Sequence, residues 1–482
     1  MLALEISTKT SALILLFVMS LTPVTKTIAD TSTHKMTVHQ MVNRIINYYP
    51  SLRVAKFNVD KAKLENTKVQ AQLSWVLSGQ TGYSRDVSFV GAATDKYEIN
   101  AKIAKKLESG SELGLSAGYR EEDSEFAFTS TVANPSKTTD ISLDYRMPLS
   151  KGSDNPAYQH DVMRATTSLK INKLDQDELR DEIARQSIEL YYSLADIKLR
   201  IQNTHESIKR AEQLKKYVLR NKEIGITENI DLLQTEAKLK LSQANLLELD
   251  TVLRKQIISL NKLLGLPWDN DLDVIIRPIE EKFTIQTEER IKNTFAYNQG
   301  LHKLNAELDL VDSELSLLRD KKKDKVDLIF SLGARNRSGD TAVGSLNETD
   351  TIGGLQLEYQ NNLDKTGFDA ERLQSQIERN KILETITLNK RELEFEVYSL
   401  ISEIKTSVKA YDGQKIRKKV ENEKLIDARR RFKVGRTDTN QLIEFEGDLL
   451  EAELAVKQKQ LEIKNKLTLL DLKSGKFWGV AK

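Results

Sequence analysis

The chain has 482 residues, a formal net charge of +2 from 73 basic and 71 acidic side chains, and no cysteine. That near-balance gives no overall field to hold nucleic acid, and no basic tract stands beside interleaved aromatics, so a nucleic-acid partner is excluded. Disulfides are excluded as well, which leaves packing and oligomerisation to stabilise the fold.

At the start, Lys9 precedes an apolar run over 11–21, and Thr27-Ile28-Ala29 supplies small residues for a signal peptidase. The run is short for a bilayer span and has the layout of a secretory signal over 1–29, with an uncleaved anchor as the alternative. No cysteine follows it for lipid attachment, and charges interrupt every later apolar stretch, so no later segment is a candidate membrane helix. Any entry into a membrane falls to strands.

A first structural repeat is expected over 30–266. It opens with a helical pattern from 36 to 75, interrupted at Pro50. The period then becomes alternating. Tyr97, Ile99, Ala101 and Ile103 form one strand; Leu113, Leu115, Ala117 and Tyr119 form another after the Ser109-Gly110 turn. Ile141, Leu143, Tyr145 and Met147 make a third, and a weaker one runs from Leu77 to Tyr83, four in all. Polar and small residues over 88–94 and 121–139 read as solvent-facing turns. A long helix over about 162–222, a tight turn at Gly225 and a second long helix from Asp231 complete the unit.

A linker over 267–281, punctuated by Pro267 and Pro278, leads to a second repeat over 282–475 and a tail over 476–482. Its entering helices at 291–325 echo the first, Leu301 standing for Leu52 (301 − 52 = 249). Only two strands follow: Val326, Leu328, Phe330, Leu332 and Ala334 on one, Leu355, Leu357 and Tyr359 on the other, with 338–349 read as a loop. A long helix over 371–433, a turn at Gly435 and a last helix from Gln441 mirror the first half. Gly225, Thr227, Leu232 and Gly265 fall on Gly435, Thr437, Leu442 and Gly475 at one shift (435 − 225 = 210). The two shifts differ by 39 residues (249 − 210), so the first half carries the equivalent of one extra hairpin. Helices of about 50 residues extend about 75 Å. Their apolar stripes must meet other helices along a coiled-coil-like seam.

Catalysis has no visible machinery. His34, His39, His160, His205 and His302 lack metal-ligand spacing, Gly475-Lys476 lacks the upstream glycine of a phosphate loop, and pairs such as Glu280-Glu281 sit in a highly charged chain. Neither an enzyme nor a cofactor is expected.

The order of elements, with the tip strings NKEIGITENIDLLQTEA and RRFKVGRTDTNQLIEFE, resembles the TolC-like outer membrane efflux protein family across essentially the whole mature chain. The resemblance implies a mainly α fold with β: duplicated long-helix hairpins forming a periplasmic α-barrel, plus strands contributed to a trimeric transmembrane β-barrel. It implies a homotrimer in outer membrane lipid, extending into the periplasm. Its partners would be a periplasmic adaptor (membrane fusion) protein and an inner-membrane pump of the RND or ABC type, in efflux or type I secretion. The family's adaptor-contacting tips would fall on Gly225, Ile226, Thr227, Gly435, Arg436 and Thr437. Its two gate aspartates would fall on Gln441 and Glu444, one of them uncharged here, with Asp231 as the first-repeat counterpart of Gln441, able to stabilise the closed tip through hydrogen bonds or a contact with Arg436. The family usually contributes four strands per chain, and the six counted here depart from that: the extra hairpin either widens the barrel or lies outside or above it. An exported coiled-coil scaffold or adhesin without a pore is the alternative; alternating strands of about ten residues are what a membrane barrel needs and a scaffold does not.

Overall fold

The computed structural model describes residues 34–87, 91–125, 133–225, 227–275, 284–434 and 436–479. The expected signal at 1–29, Ile226, Gly435 and part of the linker lie outside these residues. In chain order the elements are β1 (His34–Met36), α1 (Val38–Tyr48), α2 (Pro50–Gln70), β2 (Val76–Val87), β3 (Ala93–Lys106), β4 (Glu112–Ser124), β5 (Ser136–Pro148), α3 (Pro156–Glu223) and α4 (Asn229–Leu264). The second half adds β6 (Leu272–Val274), α5 (Thr287–Tyr297), α6 (Gln299–Lys321), β7 (Lys325–Thr341), β8 (Gly344–Gln360), α7 (Thr366–Lys433) and α8 (Thr439–Lys473).

The duplication is structural. Helices α3 and α7 each contain 68 residues, and both of their ends differ by 210 (366 − 156 and 433 − 223). Helices α1 and α5 each contain 11 residues at the other shift (287 − 38 = 249). At 1.5 Å per residue the 68-residue pair extends about 100 Å. Each copy breaks between its two entering helices for a local reason. Pro50 begins α2, where its missing N–H is harmless, and at the matching point the Asn298 side chain accepts from Leu301 N at 2.9 Å to begin α6.

Six strands form one antiparallel meander in the order β2-β3-β4-β5-β7-β8, so all four first-repeat strands join the second repeat's pair in a single sheet. Within one chain β2 and β8 are its open edges. Residues 338–349, expected as a loop, are mostly strand: β7 and β8 pair from Lys325↔Gln360 out to Thr341↔Gly344. Likewise β4 runs through Ser124 and β5 begins at Ser136, inside the expected 121–139 turn. Polar sequence conceals such strand ends, because a hairpin in water needs no apolar face to keep its backbone ladder.

At mid-length the linker is more than a connector. Its β6 pairs in parallel with β1, and Tyr191 of α3 holds the pair from beneath, its hydroxyl 2.6 Å from Ile275 O and 3.2 Å from Met36 O. Around it Met41, Ile45, Leu52, Ile183, Leu194 and Leu260 form a core. The described part of the tail also packs. Phe477 is buried against Val42, Ala184 and Ile188, and Trp478 Nε1 donates to Asp181 Oδ1 at 2.9 Å. Burial pushes the Asp181 carboxyl up, although Tyr297, Arg180 and Trp478 all favour its charge. Between α7 and α8, burial opposes the charge of Glu462, but hydrogen bonds from Lys459, Lys466 and Ser407 prevail and hold it down to about 2.

Candidate functional site

Two regions carry features that folding of a single chain does not require. The first is the sheet. Pairing aligns residues of one parity into rows across all six strands: Leu77, Ile103, Leu115, Leu143, Leu332 and Gly353 in one, Gly79, Ala101, Ala117, Ile141, Ala334 and Thr351 in the next. This face is apolar, yet its large side chains face outward uncovered, Leu77 76% and Leu355 72% exposed. The opposite face is polar and cross-linked. Ser116 and Ser142 hydroxyls lie 2.7 Å apart, Ser331 Oγ donates to Asp144 at 2.7 Å, and Arg146 donates at 2.6 Å to Asp327 and to Glu358.

Height gives the apolar face its meaning. On this face, counted from the ends that join the helices, side chains are apolar or small over roughly the first eight residues of each strand apart from Lys105 at the base of β3 and Thr81 on β2; Arg85, Asp95, Glu121, Thr139, Asn336 and Thr351 then begin the polar part. Eight residues of a strand tilted by about 35° rise about 22 Å, close to the apolar band of an outer-membrane barrel. Tyrosines mark its rims, Tyr83 and Tyr97 with ring centroids 4.8 Å apart on one side, Tyr145 and Tyr359 toward the other. One face fits lipid and the other fits water.

The second region is the pair of helix-hairpin tips. Leu214, Val218, Leu425, Ala428, Leu442 and Leu449 form a core that joins the two hairpins, with the Tyr217 and Phe432 rings 5.4 Å apart above it. Gly225 has φ +77°, a left-handed stop that suits glycine, and nothing lies near the position a Cβ would take. The Thr227 hydroxyl donates to Val218 O at 3.1 Å and folds the turn back on α3. Ile226 and Gly435 lie outside the described residues, while Arg436 is exposed and Thr437 half-buried.

The two turns enter their second helices by different caps. At α4, Asp231 accepts from Glu228 N at 3.1 Å; at α8, Asp438 accepts from Gln441 N at 2.7 Å. The Asp231 carboxylate therefore caps its own helix, and no ion pair joins it to Arg436 within the chain. Gln441 and Glu444 are exposed one turn apart on α8, and Glu444 forms no ion pair with a described residue. Its neighbours do: Glu446 meets Arg429 at 2.8 Å and Asp448 meets Lys424 at 2.6 Å, which with Glu421 holds the lysine's pKa up. Sequence reasoning passed over Ile224 and Val434, equivalent at the 210 shift and 65% and 66% exposed beside the two glycines. An apolar residue before each tip glycine was the available signal. Among the described residues no group of three or more His, Cys, Asp or Glu could hold a metal ion, and no helix is long and apolar enough to cross a membrane.

A duplicated helical-hairpin scaffold that carries an open, two-faced sheet is the fold of outer-membrane channels. The chain superposes on the outer-membrane channel OprN with a TM-score of 0.63 and 14% identity, over 91% of this chain and 89% of that one. On the outer membrane protein VceC from Vibrio cholerae the values are 0.62 and 12%, over 92% and 96%. On the CmeC outer membrane channel of Campylobacter jejuni they are 0.57 and 12%, over 91% and 85%. No family model matches the chain, and no curated protein matches it in sequence.

Proposed function

We propose that this protein is a passive exit duct across an outer membrane: three chains share one barrel in lipid and continue it through the periplasm as a helical tunnel. The observation that carries this reading is the sheet, apolar on one face over a level band, charged on the other and open at both edges. Open edges are not tolerated in hydrocarbon, so several copies must close it. A coiled-coil scaffold has no use for that face. The fold shared with OprN, VceC and CmeC supports the same reading. Solutes or polypeptides would enter from an inner-membrane pump of the RND or ABC type through a periplasmic adaptor. The test is to fractionate cells, run the protein unboiled and record conductance in a planar bilayer. An outer-membrane, heat-dissociable trimer that conducts is expected, and a soluble monomer defeats the proposal.

At the tips, Gly225, Ile226, Thr227, Gly435, Arg436 and Thr437 form the adaptor surface in this reading, with Ile224 and Val434 as its apolar anchors. Joint Ile224→Asp and Val434→Asp substitution should leave the trimer and its conductance intact while abolishing adaptor adducts on mild cross-linking. Retained adducts would remove the two side chains from the surface. Asp231, Gln441 and Glu444 border the entrance, where Glu444 supplies the unpaired charge. Glu444→Gln should lower the cation preference of the open channel, and an unchanged reversal potential in a salt gradient would end that role.

A further inference from the structure

The register within the sheet specifies how one copy meets the next. Follow the row that starts at Leu77, the second residue of β2: it ends at Gly353, the eighth residue from the end of β8. The strands thus climb six residues across the chain. Cyclic symmetry puts the helix-proximal end of the neighbour's β2 at the height of this chain's own. We infer that β8 pairs antiparallel with β2 of a neighbouring copy with those ends flush, Gly353 opposite Tyr83, in a closed barrel of eighteen strands. This rests on the duct reading and adds its partner surface and size.

Several independent features select that register. Six residues of climb over six strand spacings is a tilt of about 35°, within the range of closed membrane barrels. The even offset keeps the apolar face continuous, whereas an odd one would turn the neighbour's leucines into the water-filled side. All twelve residues of β2 find partners inside β8; a slip of two residues one way leaves the backbone of Leu77 unpaired in lipid. Two glycines also meet large side chains across the seam, Gly79 facing Leu357 and Gly353 facing Tyr83, while two large apolar side chains, Leu77 and Tyr359, meet at the base. Two pairs depart from this order: Gly82 meets Gly354 on the polar face, and Asp86 meets Asp350, which lies at the watery end with Arg337 2.9 Å from Asp350.

The helices have the same two edges. They run α2-α3-α6-α7 beneath the sheet, and the outermost two carry uncovered apolar side chains, Phe57 and Leu64 on α2, Leu388 and Phe395 on α7. A neighbour that completes the sheet covers these too. Eighteen strands at that tilt enclose a barrel about 34 Å across, backbone to backbone, against about 22 Å for twelve.

The native chain has no cysteine, so paired cysteines report the seam directly. Full-length protein with Gln80→Cys and Gln356→Cys, oxidised in isolated outer membranes, should link into a product of three chains. Thr81→Cys with Leu355→Cys should do the same, and using both pairs covers the alternation of hydrogen-bonded and non-hydrogen-bonded geometry. Gln80→Cys with Glu358→Cys, or with Gly354→Cys, tests the registers two residues to either side and should link about tenfold less. A product confined to one chain, a ladder that ends at two or four chains, or equal linking out of register overturns the seam. Fractionation and conductance of the unoxidised variants separate the two ideas. Membrane-inserted, conducting protein that does not link defeats the seam alone, and protein absent from the membrane defeats the duct and the seam with it.

Discussion

Leu143→Arg is expected to remove the trimer from the outer membrane, while Ser142→Arg, one residue away, leaves it assembled. Leu143 lies between Leu115 and Leu332 in the middle of the apolar band, on the face that the duct reading turns to lipid. An arginine at the midplane of such a barrel costs about 2–4 kcal/mol, and threefold repetition makes that about 6–12 kcal/mol per assembly. This is comparable with the whole stability of a typical domain. Ser142 faces the other way, hydrogen-bonded to Ser116 and Asp144 in a polar layer where a guanidinium finds carboxylates. The measurement is the fraction of outer-membrane protein that runs as an unboiled trimer. Equal losses from the two substitutions would defeat the assignment of the faces, and with it the lipid-facing sheet.

This contrast was legible in the sequence, because period-two alternation through Ile141, Leu143 and Tyr145 survives whatever the neighbours are. So were the long helices. Their ends fell within about six residues of expectation because glycine, proline and the copied tip strings punctuate them. What escaped was held by non-local contact or by backbone alone. Strands β1 and β6 are three residues each, too short for any period, and exist because they pair with one another across more than 230 positions of chain. The outer ends of β7 and β8 are polar and read as loop, yet their ladder runs to Thr341 and Gly344. Phe477 looks like part of a loose tail until His39 stacks on it at 4.2 Å between centroids. At the tips, the Gly225 stop was legible from its neighbours, whereas the capping role of Asp231 depends on turn geometry and the exposure of Ile224 and Val434 on what the hairpins leave uncovered. The six-strand count was legible, but whether the additional hairpin joined the sheet depended on the β5–β7 pairing between the halves.

Tyr191→Ala should cost about 3–5 kcal/mol, the range for removing a buried aromatic ring, and Tyr191→Phe about 1 kcal/mol. The ring is 2% exposed and supports β1 and β6 from α3, while adjacent Tyr192 turns to α8 and meets the Thr468 hydroxyl at 3.0 Å. With one proton to give, the Tyr191 hydroxyl serves the nearer carbonyl, Ile275 O. Phenylalanine keeps the packing and forfeits that bond. Alanine also leaves a cavity under a two-stranded ladder too short to persist unaided. Denaturant midpoints of the purified protein give the two costs, and protease nicking near the linker gives their location. If Phe and Ala cost the same, the hydroxyl rather than the ring anchors the linker, and the packing account fails. The expected order makes Tyr191 one of several side chains on α3 that tie the halves together at mid-length, beside Tyr192 on Thr468 and Asp181 on Trp478, where neither the sheet nor the tips reach.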